Sequence, residues 1–481
     1  MRSSYCGAAA LAFAMFAAPA SSATLDEIAA AMGSNKLTSV QYTGSGTFYL
    51  LGQARVSGRE WPGFPMKLAT RAIDFANAAL TDEQVYNQPP SGVIAGGGAQ
   101  PFAGDVRRVV GVAGETAWNG AGATATAAPG NLAALQHDLW TTAHGIVKAA
   151  LADKVPVQSD MGSTTFGIER AGRFRARATA NAQNLITRIE SVVGNAVLGD
   201  MTVVTTFENY RDYDGVKLPT RIVTAVLGHP TLEVNVSEVK LNASPIAAPQ
   251  FNPPAPAAAA TPAPNPIEKI ADGIYNIAAS HNSVAIEMAD HVILIEAPLA
   301  EARSVVVLDE VKKLFPNKPI RALVNTHHHF DHSGGLRGVI AEGIPVVTAE
   351  INKAYYEQIF ATPRTMSADR MSRANATARI QTVGDKLVLG DATRTLELYP
   401  LQGHLHAEGM LIGYLPKEKM LIVADAFSPR APVTRTPDSV NPNTANLWEN
   451  IKRLGLDVQT VMPIHGRFVK VDELRLEAGA M

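Results

Sequence analysis

Period-two alternation marks much of the first half of the chain. Residues 173–178, Arg-Phe-Arg-Ala-Arg-Ala, alternate charged and apolar side chains as a strand with one wet face does, and residues 185–191 repeat the pattern. Residues 202–213 and 216–226 flank Asp214-Gly215, a dipeptide suited to the positive φ values of a tight turn, and so predict a long hairpin. Helices are expected at 25–32 and around 67–79, while 92–130 is rich in Gly and Ala without a clear period. The pattern predicts an N-terminal α+β domain rich in antiparallel sheet.

After residue 267 the pattern changes. Apolar strands are expected at 283–288, 292–296 and 320–325, with a helix near 302–314 between them, which is α/β layering. Further strands are expected at 345–348, 394–399, 410–414 and 420–424. A helix near 444–454 precedes a last strand ending near Pro463. Between the two patterns, residues 245–266 hold 8 prolines among 22 residues and most of the rest are alanine, a composition that favours extended polyproline II and predicts a linker with few tertiary contacts across it. The expected organisation is therefore 1–23 leader, 24–244 sheet domain, 245–266 linker and 267–481 α/β domain.

Composition narrows the function. A chain of 481 residues suggests several structural units at roughly 100 to 200 residues each, and 46% hydrophobic against 18% charged residues is enough for real cores. The formal net charge of -2 supplies no pull toward phosphate backbones or anionic lipid, so no nucleic acid partner is expected; a small-molecule substrate is the partner expected of the chain. Arg2, the apolar run 8–18 and the small residues Ala18-Pro19-Ala20 or Ser21-Ser22-Ala23 read as a secretory signal cleaved near 20–23, which implies a periplasmic or secreted protein. That run falls short of the ~20 residues that cross a bilayer, and no later segment reaches it, so no stable membrane insertion is expected. The one cysteine, Cys6, lies in the leader; any metal site must use histidine and carboxylate.

Nine of the twelve histidines follow the linker, and four crowd one loop: Thr326-His327-His328-His329-Phe330-Asp331-His332-Ser333-Gly334-Gly335. The loop lies between a buried strand and a helix, where α/β folds place their sites. In extended chain His327 and His329 point the same way and can share one cation, while Asp331 and His332 at the helix start can turn toward a second.

This segment resembles the metallo-β-lactamase-fold hydrolase superfamily, whose signature is His-x-His-x-Asp-His at this junction, and the resemblance covers about 267–481 with the αββα sandwich of that superfamily. It implies one metal held by His327, His329 and a third histidine, for which His404 and His406 compete. The ligand typically lies eight residues before a strand-ending aromatic and three before a glycine; His406, Gly409 and Tyr414 match, and His404 does not. It further implies a second metal held by Asp331, His332 and His465, with Asp425 bridging. The full set departs from true β-lactamases of this fold, which generally lack the bridging aspartate.

The resemblance implies a zinc-dependent hydrolase with two zinc ions per chain, iron or manganese being compatible with the same ligands. Two dications about 3.5 to 4 Å apart lower the pKa of a shared water from about 15.7 toward about 7, giving a hydroxide nucleophile for an ester, lactone or amide bond, and Asp331 can orient it catalytically as well as ligate. Around this set, His328 is expected beside the ligands rather than among them. His281 and Asn282 fit either a place opposite the metals or a plain loop. Arg364, in a helix and loop insertion at 355–373, fits a substrate carboxylate or an ordinary surface salt bridge. Competing readings are a β-lactamase-type activity, an iron-dependent redox enzyme of the same fold, and a lipid or polymer binding protein acting through the N-terminal sheet.

Overall fold

The computed structural model describes residues 23–90, 92, 94–98, 100–160, 162–242, 245–251, 266–429 and 440–480; the expected leader, up to residue 22, and the central part of the proline-rich segment, 252–265, lie outside them. Among the described residues no helix is long and apolar enough to cross a membrane.

Helix Leu25–Met32 opens on a capping box, Thr24 and Glu27 each accepting the other's backbone N–H, and ends at Gly33 in the left-handed region. Among the described residues thirteen strands then form one antiparallel sheet. The first strand, Ser39–Tyr49, pairs on one side with Gly63–Asp74 and on the other with the last, His229–Leu241, so the chain runs from the middle of the sheet to one edge and returns from the other. The expected hairpin is present as Gly199–Tyr213 and Val216–Val226, with Asp214 at φ 53° and Gly215 at φ 81°. The helix expected around 67–79 is instead strand Gly63–Asp74 and the start of Ala79–Tyr86, hydrogen-bonded to each other. Its alanines suit a helix locally, but Phe64, Met66 and Ala69 turn into the sheet's packing, and tertiary contacts override propensity. The unperiodic Gly/Ala stretch contains strands Val106–Ala113 and Thr116–Asn119. Helices Leu132–Trp140 and Ala143–Asp153 join the two halves of the sheet; Ile28, Met32, Ile146 and Val147 pack against Phe166, Phe174 and Ile186.

Beyond the linker, among the described residues, two sheets stack face to face, one of seven strands from Ile267–Ala271 to Ile380–Val383 and one of six from Leu387–Gly390 to Val469–Lys470. Val284, Ile286, Ile293 and Ile295 meet Leu396, Leu398, Leu411 and Ile422 between them. Helices Glu301–Leu314, Leu336–Ile340 and Lys353–Ala361 pack with the cluster on the first sheet's outer face, and Pro442–Leu454 and Val471–Glu477 with that on the second, which is the expected αββα order. Val292–Ile295 and Met420–Val423 are buried at every position, which is why they read as unbroken apolar runs rather than alternating ones.

The expectation of few contacts across the junction is corrected. Ala54, Trp61, Val197, Leu198 and Met201 of the first half share one apolar cluster with Val307, Tyr355, Tyr356 and Phe360 of the second. The proline-rich composition reports on the connecting chain, not on the surfaces it lets meet.

Candidate metal centre

Strand Ile320–Val324 ends in an extended run, residues 325–329, that enters the short helix Phe330–Ser333. Asn325 holds this turn by donating its side-chain N–H to the carbonyl of His332, 3.2 Å, while accepting from the Tyr356 hydroxyl. Alternation along the run sends His327 and His329 to one side. Their ring nitrogens meet at 3.0 Å (His327 Nε2, His329 Nδ1), and His406 Nε2 comes within 2.9 Å of the same His329 Nδ1. A second group forms beside it: His332 Nε2 is 3.1 Å from His465 Nε2, with Asp331 and His281 completing a set whose donor atoms lie within 4.8 Å of one another. Asp425, at the end of strand Met420–Val423, stands between the groups. Its Oδ1 is 2.8 Å from His332 Nε2 and 2.9 Å from His465 Nε2, and its Oδ2 is 3.1 Å from His406 Nε2.

In His327, His329 and His332 the ring nitrogen turned away from the group also has a partner. His329 donates Nε2–H to the carbonyl of Ala54, 2.8 Å, so in the neutral ring Nδ1 carries a lone pair. His332 gives Nδ1 to Glu296 Oε2 at 3.2 Å, and His327 Nδ1 lies 3.1 Å from Thr326 Oγ1. Burial drives His327 and His329 well below the usual imidazole range, toward neutral rings with free lone pairs. Burial works the other way on Asp425 and Asp331. Even so, His332 and His406 hold Asp425 ionised, and the hydrogen bond from His281 does the same for Asp331. Burial opposes charge on His332 and His465, yet Asp425 raises both, helped at His332 by Glu296. Converging imidazole lone pairs with ionised carboxylates among them are a donor set made for divalent cations; a single proton cannot satisfy His327, His329 and His406 nitrogens crowded this closely.

The other sequence candidates fall into place around this set. His404 is buried but turned aside, its Nδ1 donating to Asn446 Oδ1 at 3.1 Å, and burial lowers its pKa to about 3. His328 donates Nε2–H to the same Ala54 carbonyl, 2.9 Å, and burial lowers it to about 4. His281 reaches the second group, Nε2 3.1 Å from Asp331 Oδ2. Asn282 does not face the cleft; its side-chain N–H groups go to the carbonyls of Pro463 and Gly466, both 3.0 Å, bracketing His465. Arg364 is not among the cleft residues either. It donates to the carbonyls of Asn195, Ala196 and Val197 and so ties its insertion to the N-terminal sheet.

Sequence reasoning missed Glu296, fully buried, whose only signal was an acid placed directly after the apolar strand Val292–Ile295. It also missed Gln53 and the Ala54 carbonyl, which lie some 270 residues away in the chain and carried no signal at all.

Residues 277–465 match the family model of the metallo-beta-lactamase superfamily. A linear primary-alkylsulfatase from a Pseudomonas species is 33% identical over 76 residues, 15% of this chain, and the chain spans only 11% of that protein's length. Among solved structures, a metallo-beta-lactamase from Pontibacter korlensis is 16% identical, with 45% of this chain and 97% of that one covered at a TM-score of 0.34. One from Hirschia baltica is 17% identical with the same coverage and score. The rubredoxin oxygen:oxidoreductase of Desulfovibrio gigas is 18% identical, covering 44% and 61% at 0.35. With the His/Asp constellation assembled at the strand end where its signature spacing places it, the segment 277–465 is a metallo-beta-lactamase superfamily domain.

Proposed function

We propose that the chain is an exported, dinuclear metal-dependent hydrolase of acyl bonds, with esters and lactones preferred over β-lactams and zinc the favoured metal. The observation that carries this reading is Asp425, whose two oxygens lie against different donor groups, His332 and His465 on one side and His406 on the other. His327, His329 and His406 would hold one ion and Asp331, His332 and His465 the other, with Asp425 shared and His281 donating to Asp331. When bound, such ions supply a water of lowered pKa and Lewis acidity toward a carbonyl.

The chain's own residues do the rest. Asp331, held by hydrogen bonds on both oxygens, offers a fixed carboxylate in the cleft that can orient attacking water without itself reorienting. The cleft, about 2270 Å³ with its open mouth, is lined by Leu50, Leu51, Phe102 and Phe427 together with Gln100, Asn441, Asn443 and Thr444, so the body of the substrate meets mixed apolar and uncharged polar surface beside the histidines. Among the described lining residues none is Lys or Arg, which favours an uncharged acyl group over a phosphodiester.

A second reading is sulfate-ester hydrolysis, supported by the short likeness to the alkylsulfatase. One metal-loaded preparation assayed for kcat/KM on a lactone, an aryl ester, a cephalosporin, an alkyl sulfate and a phosphodiester separates them. Acyl substrates should lead, and Asp425→Ala should lose most of that rate. A lead of more than about tenfold, some 1.4 kcal/mol, for the sulfate or the cephalosporin would overturn the ranking.

A further inference from the structure

The N-terminal half touches the metal centre at its ligands, not merely at its rim. Gln53, in the connection after strand Ser39–Tyr49, donates its Nε2–H to Asp331 Oδ1 at 2.8 Å. The next residue, Ala54, is buried and accepts from both His328 and His329. Phe330, between His329 and Asp331, donates its N–H to the Gly52 carbonyl, 3.2 Å, and its ring lies where a side chain at 52 would have to go, a Cβ there meeting the ring at 2.5 Å. Three consecutive residues, 52 to 54, thus each contact the segment 329–331 that carries two of the donors.

The Gln53 amide is itself cradled. Gly97 donates its N–H to the Gln53 carbonyl, 2.8 Å, and a Cβ on Gly97 would fall 1.7 Å from Gln53 Oε1. The overlap falls on the far end of a flexible side chain, which would swing away to relieve it, so the Gln53 amide can sit where it does only because position 97 lacks a side chain. This accounts for part of the unperiodic Gly/Ala stretch: Gly97 makes room for a polar side chain aimed at the second half of the molecule, and Gly96 for the backbone carbonyl of the same residue. Gly96 also donates to the Leu405 carbonyl, 2.8 Å, beside His406.

We propose that Gln53 is a positioning residue of the metal centre, so that the N-terminal half is a built part of the catalytic unit rather than an appended module. By occupying Oδ1 it leaves Oδ2 of Asp331 for the second donor group, and it fixes the carboxylate plane that the group requires. The inference rests on the metal-centre reading but not on its substrate.

The test uses the full chain, stripped and titrated with Zn²⁺ against a competing chelator, and separately loaded with Co²⁺ for its absorption spectrum. Gln53→Ala should weaken the second ion by about 10- to 100-fold and alter the second Co²⁺ band, with the first ion, the circular dichroism and the melting temperature of the metal-free protein unchanged. Gly97→Ala should reproduce that loss with Gln53 intact, because it displaces the same amide. Wild-type affinity and spectrum in Gln53→Ala would overturn the proposal, as would a Gly97→Ala defect that Gln53→Ala does not share. Wild-type protein that takes up no metal would overturn both this inference and the reading it rests on, whereas inactivity toward acyl substrates with two ions bound would overturn that reading alone.

Discussion

Glu296 Oε2 lies 3.2 Å from Nδ1 of His332, and both side chains are entirely shielded from solvent. The other oxygen of Glu296 accepts the backbone N–H of Thr326 at 2.8 Å, so one buried carboxylate fixes both the tautomer of His332 and the start of the histidine loop. Glu296 has φ 68°, a conformation that bulky residues seldom adopt, which turns its side chain back under the loop.

Glu296→Gln should therefore keep the shape but remove the charge behind His332, lowering affinity for the second ion by about 10- to 100-fold. Glu296→Ala should in addition destabilise the protein by about 1–3 kcal/mol, since it orphans the Thr326 N–H. Isothermal titration with zinc and chemical denaturation of the two variants check both statements.

His406→Ala should abolish occupancy of the first donor group and His404→Ala should leave metal content near wild type. His406 Nε2 sits 2.9 Å from His329 Nδ1, whereas His404 is turned to Asn446. Mass spectrometry of the intact folded proteins gives the counts, and the reverse pattern would reassign the ligand.

Acid should weaken the N-terminal half through His144. This buried ring lies 2.8 Å from Ser34 Oγ and 3.0 Å from the Lys217 carbonyl, and burial lowers its pKa from 6.5 to about 4. The folded state thus holds the ring neutral where the unfolded chain would protonate it. The contribution is complete above pH 6.5, falls as pH drops from there, and is gone below about 4, a change of at most about 3 kcal/mol. Denaturation between pH 7.5 and 4 should show His144→Asn less stable at the upper end and flatter across the range. Parallel profiles would remove His144 from the account.

Proteolytic nicking between residues 252 and 265 of the folded protein should leave the halves associated and the metals in place, because Ala54, Trp61 and Leu198 are packed among Tyr355, Tyr356 and Phe360. Residues 267–481 expressed alone should expose that surface and bind a hydrophobic dye strongly. Clean separation of nicked halves on gel filtration would show that the shared cluster contributes little.

Whatever is local could be read from the order of residues. Apolar runs at Val292–Ile295 and Met420–Val423, the turn at Asp214-Gly215 and the spacing of His327, His329, Asp331 and His332 each depend on neighbours within a few residues, and each was legible. Strand Gly63–Asp74 was not, because its alanines fit a helix as well as a strand and only pairing on both sides decides between them. It took the folded chain to place Glu296 behind His332, Arg364 on the carbonyls of residues 195–197, and Gln53 against Asp331 across 278 positions of chain. A hydrogen bond between distant residues leaves no period in either segment; it exists because burial brings the two surfaces together and then requires every polar group trapped there to find a partner.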